Sequence, residues 1–120
     1  MAESPTLDEL TRQLIEFRDA REWRQFHALK DLILSLNLEA AELLELTQWQ
    51  DEKAFENAAH EPANHQRLAE ECADIFLYLL LICERTGIDL PQAAAVKISQ
   101  NAKKYPVEKS RGSAKKYNQI

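Results

Sequence analysis

An all-α chain folded as a four-helix bundle is what this sequence predicts, and three observations carry that expectation. Two Gly and four Pro among 120 residues are too few interruptions for a fold of many short strands and turns. Apolar residues recur at helical spacing, as in Leu7, Leu10, Leu14 and Phe17. Two long apolar stretches, 34–49 and 68–86, each carry a pair of acids three positions apart. With 45% apolar residues the chain can bury one modest core, so a single domain is expected over 1–120, with a helical body over 6–105 and a basic tail over 106–120.

Thr6 is placed to cap the first helix, with Glu9 three residues on in a capping-box pattern, and the helix is expected to run to about Ala20. The connection 21–27 mixes aromatic and polar side chains, as connections that carry function often do. Interhelix packing accounts equally well for Trp23 and Phe26, and a helix-start surface position for His27. Residues 28–49 should form one long helix of about 33 Å at 1.5 Å per residue. Composition turns polar over 50–65, with Asp51, Asn57, Pro62 and Asn64, and predicts a loop. A third helix is expected over 66–86, stopping at Gly87. Asp89 then caps a fourth helix, with Pro91 in its first turn and Gln92 at the capping-box position, which continues over 93–105 until Pro106 ends it. The basic remainder, 107–120, is expected to wrap over a surface or a neighbouring subunit.

The two acid-bearing stretches organise the rest. In LSLNLEAAELLELTQW, 34–49, Glu39 and Glu42 lie roughly 60° apart around the helix at about 100° per residue, with Leu36, Ala40, Leu43 and Leu44 toward another face. Glu71 and Asp74 repeat the spacing, and the unbroken apolar run 75–83 follows at once. For one such pair a solvated helix face is the ordinary account. Two pairs on two apolar helices admit another. If the helices pack together four carboxylates meet, and bare charges about 5 Å apart repel by roughly 3 kcal/mol at an effective dielectric near 20. Protonation or a cation must relieve that repulsion, and at neutral pH a hard divalent ion such as Mg²⁺ suits carboxylate oxygens. Tyr78 lies about 20° from Glu71 in projection and points toward the acids, although a phenol at the edge of a core is also ordinary.

The net charge of −5 is unevenly spread. From Lys97 onward seven Lys or Arg stand against Glu108 alone, so that segment carries +6 and the preceding 96 residues carry −11. An acidic body with a basic end suits a metal cluster on one element and phosphate contacts on another; a solvated basic terminus is the alternative. The same acidic body argues against broad nucleic-acid binding, and the apolar run 75–83 is too short to span a bilayer. No secretory apolar region precedes Thr6, so a cytoplasmic location is expected. Cys72 and Cys83 would sit about 16 Å apart along one helix, too far to bridge, and are expected to be buried free thiols. The run 75–83 is apolar around the whole helix circumference, which predicts burial against a second chain and hence a homo-oligomer.

Together WRQFH at 23–27, LEAAELLELTQW at 38–49, EECADIFLYL at 70–79, GIDLPQA at 87–93 and KKYPVEKSRGSAKKY at 103–117 resemble the all-α nucleoside triphosphate pyrophosphohydrolases of MazG-like type, most of all their dCTP pyrophosphatase branch. The resemblance spans nearly the whole chain and weakens at the ends and over 50–65. It implies a bundle assembled as a tetramer, a dimer of dimers, and Mg²⁺ ligands at Glu39, Glu42, Glu71 and Asp74, which would be the catalytic acids. It also implies a nucleotide pocket lined by Trp23, Arg24, Gln25, Phe26, His27, Trp49 and Tyr78. Leu38 stands where many MazG-like proteins have a Glu, as in the dCTP branch, and Leu14 where vertebrate members of that branch have a His.

The activity implied is hydrolysis of a nucleoside triphosphate, dCTP or a modified dCTP first among them, between its α and β phosphates, leaving a monophosphate and pyrophosphate. Glu45 or Glu70 is a candidate to orient the attacking water. Lys97, Asn101 and Lys104 recur at helical spacing and, with Arg111 and Lys116 from the tail, are candidate phosphate contacts; solvent-facing lysines are the plain alternative. Trp49 and Tyr78 offer rings for a base. A di-iron carboxylate bundle would need Glu three residues before a His, and Arg24, Asn57 and Pro62 stand there instead. A non-enzymatic oligomerisation or nucleic-acid module using the basic tail is the remaining rival; it would show salt-sensitive nucleic-acid binding and release no pyrophosphate.

Overall fold

The structure is a computed structural model that describes residues 3–119. The chain divides between Thr86 and Gly87 into two compact units. The first holds α1 (Leu7–Ala20), a 3₁₀ turn (Trp23–Phe26), α2 (Leu29–Glu45), α3 (Glu52–Ala58) and α4 (Pro62–Thr86); the second holds α5 (Leu90–Lys104), α6 (Val107–Ser110) and a 3₁₀ turn at Tyr117–Gln119. There is no strand among the described residues, and no helix is long and apolar enough to cross a membrane.

Local chemistry sets most boundaries. Thr6 accepts from the Glu9 amide at 3.1 Å to open α1, and Asp89 accepts from the Gln92 amide at 3.1 Å to open α5. Gly87 takes φ +74° just past α4, a left-handed position natural to glycine at a helix end. Two expectations are corrected. The helix expected over 28–49 stops at Glu45: the amides of Leu46, Thr47 and Gln48 tighten to bonds three residues back, and the Thr47 hydroxyl also takes the Leu44 carbonyl at 2.7 Å. Trp49 then turns into the left-handed region at φ 64°. The loop expected over 50–65 is largely helical, because Asp51 caps α3 through the Ala54 amide at 2.8 Å and Pro62 opens α4 four residues before the expected start.

In the first unit α4 is the central element, with α2 and α1 both packed on it. Leu32, Leu80, Leu81 and Cys83 are buried, together with Arg18. This placement covers part of the apolar run of α4 within the chain. Residues 75–83 are half-buried or buried within the chain, since two helices share the circumference. On α2 the apolar side chains Ile33, Leu34, Leu38 and Leu44 are exposed, as are Phe17 on α1 and Val96 and Ile98 on α5. Cys83 is a buried thiol as expected; Cys72, expected to be buried, is exposed.

The second unit ties its tail to its own helix. Tyr117 packs edge-on against Tyr105 with centroids 6.3 Å apart, and the Lys104 ammonium lies 5.0 Å from the Tyr117 ring centre.

Candidate active site

The packing of α2 on α4 brings the acids together. One carboxylate oxygen from each of Glu39, Glu42 and Glu71 falls within 4.8 Å of the others. Glu39 Oε2 and Glu71 Oε2 are buried with no hydrogen-bond partner, a costly condition that calls for an occupant. Burial first, then a hydrogen bond that the protonated Glu39 donates to Glu42 and the charges of Glu42, Asp74 and Glu71, push the Glu39 carboxyl up to about 7. Glu71 is raised as well, by burial and then by Glu42, Asp74 and Glu70. Three hard oxygen donors with orphaned lone pairs and mutual repulsion fit a hard cation, so the cluster could hold a metal ion. Asp74 stands outside the tight trio, yet close enough for its charge to act on both raised acids.

Asp74 also belongs to the wall of a cavity of about 160 Å³ whose other lining residues are Leu14, Phe17, Arg18, Trp23, His27, Leu77, Tyr78 and Leu81. Trp23 is held by an edge contact to Phe17, centroids 5.6 Å apart, and the Arg21 guanidinium covers the Phe17 ring at 3.7 Å. His27 Nδ1 is buried without a partner, and burial, then the charges of Arg18 and Arg85, lower the imidazole pKa. A mostly apolar hole thus opens directly beside the carboxylates.

The WRQFH segment divides. Trp23 and His27 face this cavity, Arg24 and Gln25 line an open cleft with Ala28 and Arg85, and the Phe26 ring is exposed. Tyr78 joins the cavity, whereas the Trp49 indole is fully exposed and lines none of these openings. Lys97, Asn101 and Lys104 share the exposed surface of α5, and Arg111 ends α6 in the second unit. Glu45 is exposed, and so is Glu70, which accepts from Gln66 at 3.1 Å.

Sequence reasoning passed over Phe17, Arg18 and Leu77. For Arg18 a signal existed: it falls four residues after Leu14 and eight after Leu10, on the apolar stripe of α1, where a cation is out of place. Its guanidinium is held by Asp19 at 2.9 Å and Glu84 at 3.2 Å. Burial works to lower its pKa, but these two acids leave it above the usual value.

The sequence profile of the MazG-like family matches residues 34–120. The chain is 41% identical to a dCTP pyrophosphatase 1 of Bos taurus over 116 residues, 97% of this chain and 69% of that protein. To the dCTP pyrophosphatase 1 of Homo sapiens it is 35% identical over the same length, 68% of that protein. A crystal structure of a pyrophosphatase from Archaeoglobus fulgidus superposes with a TM-score of 0.79 at 36% identity, covering 88% of this chain and 97% of that one. The chain belongs to the MazG-like family and is a hydrolase of the nucleotide diphosphatase class.

Proposed function

We propose that the protein is an Mg²⁺-dependent nucleoside triphosphate pyrophosphohydrolase that cleaves dCTP, or a modified dCTP, to the monophosphate and pyrophosphate. One observation carries this reading: Asp74, whose charge acts on Glu39 and Glu71 of the carboxylate cluster, also lines the 160 Å³ cavity, so a triphosphate at the acids brings its base to the hole. An apolar cavity of about 150 Å³ holds a single benzene ring, so a pyrimidine suits this one better than a purine. The dCTP pyrophosphatases similar to this chain point to the same base.

Glu39, Glu42, Glu71 and Asp74 would hold Mg²⁺, which when bound supplies positive charge against the phosphate oxygens. The same carboxylates, unable to accept a bare triphosphate among themselves, exclude substrate that arrives without the cation. Glu45 or Glu70 orients the attacking water; its oxygen bonds to the α phosphorus as the bond to the α–β bridging oxygen breaks and pyrophosphate leaves. Trp23 and Tyr78 flank the base with their rings. The apolar α2 side chains Ile33, Leu34, Leu38 and Leu44 support assembly of at least a homodimer and, with the family resemblance, a tetramer.

A panel of nucleoside triphosphates with Mg²⁺, scored for pyrophosphate, tests the reading. Release should be fastest from dCTP and its modified forms and should cease with chelator. Release from none of the nucleotides would overturn it.

A further inference from the structure

The walls of the cavity are apolar, and away from Asp74 and Tyr78 its polar edge consists of Arg18 and His27. Arg18 is 4% exposed, a burial that charged side chains tolerate only when paired. Its Nε donates to Asp19 Oδ1 at 2.9 Å and its Nη1 to Glu84 Oε2 at 3.2 Å. Because the guanidinium is planar and rigid, those two bonds fix its plane, and among the described residues Nη2 makes no hydrogen bond. A pair serving only to join α1 to α4 has no need to line a cavity. His27, which lines the same cavity, supplies the second group, and its Nδ1 is buried without a partner. Its lowered pKa keeps the imidazole neutral near pH 7, so one ring nitrogen retains its lone pair.

We propose that Arg18 and His27 are the base-reading edge of this cavity, Arg18 donating through Nη2 to the ring acceptors of a pyrimidine and His27 Nδ1 accepting from its exocyclic amine. The inference rests on the pyrophosphohydrolase reading and adds the side chains that choose the base. Cytosine sets its N3 and O2 acceptors beside an amine donor. Uracil and thymine carry N–H at N3 and a carbonyl in place of the amine. Against those bases a donor meets a donor and a lone pair meets a lone pair. A site built to hydrogen-bond a substrate group rejects the analogue lacking it far more strongly than an apolar wall does.

The test uses the full chain with Mg²⁺ and three substrates: dCTP, its 3-deaza analogue, in which C–H replaces N3, and the 2-pyrimidinone analogue, which lacks the amine. For the unaltered protein kcat/KM should fall at least about tenfold with each analogue. Arg18→Met, made together with Glu84→Gln so that the less exposed of its two carboxylate partners is not left unpaired while Asp19 stays in solvent, should erase the penalty for 3-deaza-dCTP and keep the penalty for the missing amine. His27→Phe should do the reverse. Losses equal across all three substrates would mark a structural role and overturn the proposal. Should a variant fail to fold, the series on the unaltered protein decides, and equal hydrolysis of the three nucleotides overturns it. Hydrolysis of none of them defeats the hydrolase reading and this proposal together, whereas hydrolysis of dCTP that ignores both N3 and the amine defeats the base-reading pair alone.

Discussion

The two acid-bearing helices start from the same pattern, a carboxylate pair three residues apart on an apolar helix, and end in different circumstances. Helix α4 has both α1 and α2 packed on it, so part of its apolar circumference is covered inside the chain and Leu80 is 2% exposed. Helix α2 packs mainly on α4, and Leu38, one residue before the cluster begins, is 59% exposed. Their acids, by contrast, match from helix to helix. Glu39 and Glu71 are half-buried with an orphaned oxygen each, while Glu42 and Asp74 face solvent or the cavity. The motif therefore sets which acids meet and which of each pair is the drier, while the neighbouring helices set how far the apolar side chains are covered.

The sharpest way to test that division is at the acids. Glu42→Gln and Asp74→Asn should each lower kcat/KM at least about a hundredfold, since even outer partners of a metal site cost 10–100-fold, without unfolding the chain. Near-normal Mg²⁺-dependent turnover in these variants would show that the carboxylates serve another purpose. The apolar contrast comes next. Leu80→Ala should cost about 2–5 kcal/mol in denaturant melts at any protein concentration. Leu38→Ala should instead act through assembly, making the melting temperature more dependent on concentration. Sedimentation of the unaltered protein as a stable folded 13.8 kDa monomer would leave the α2 face without a partner.

Metal-free stability should carry the signature of Glu39. A carboxyl whose folded pKa is raised to about 7 binds its proton more tightly folded than unfolded, where 4.5 is ordinary. Its folded state is thus favoured below about 4.5 and loses that advantage as pH rises through about 7. Thermal melts in chelator should therefore show the melting temperature falling across this window, and Glu39→Gln should flatten the fall. A melting temperature that rises over the same window would contradict the crowding of the acids. The smallest effect is expected at Trp49. With its indole fully exposed, Trp49→Ala should change stability by no more than about 0.5 kcal/mol, and a raised KM with an unchanged melt would mean that the ring meets substrate from outside the cavity.

The acids, the caps and the four long helices were legible from residue spacing, because helical periodicity and side-chain capping are local. Thr6, Asp89 and Gly87 each act within four residues of themselves. The early stop of α2 was less legible, since it depends on the Thr47 hydroxyl competing for the Leu44 carbonyl. Arg18 shows the limit most clearly. In sequence it is a cation near the end of a helix, and only the meeting of α1 with α4 supplies Glu84, removes water and sets it on the wall of a cavity.

By itself the sequence determined the helical class, the spacing that aims two carboxylate pairs, and the family to which those motifs belong. The tertiary structure alone decided which three acids close into a cluster, that Asp74 joins the cluster to a cavity, and that WRQFH divides between two openings. The physical reason is range. Hydrogen-bonded periodicity is written within a turn of the chain, while burial, charge repulsion and the shape of a cavity depend on which helix lies against which.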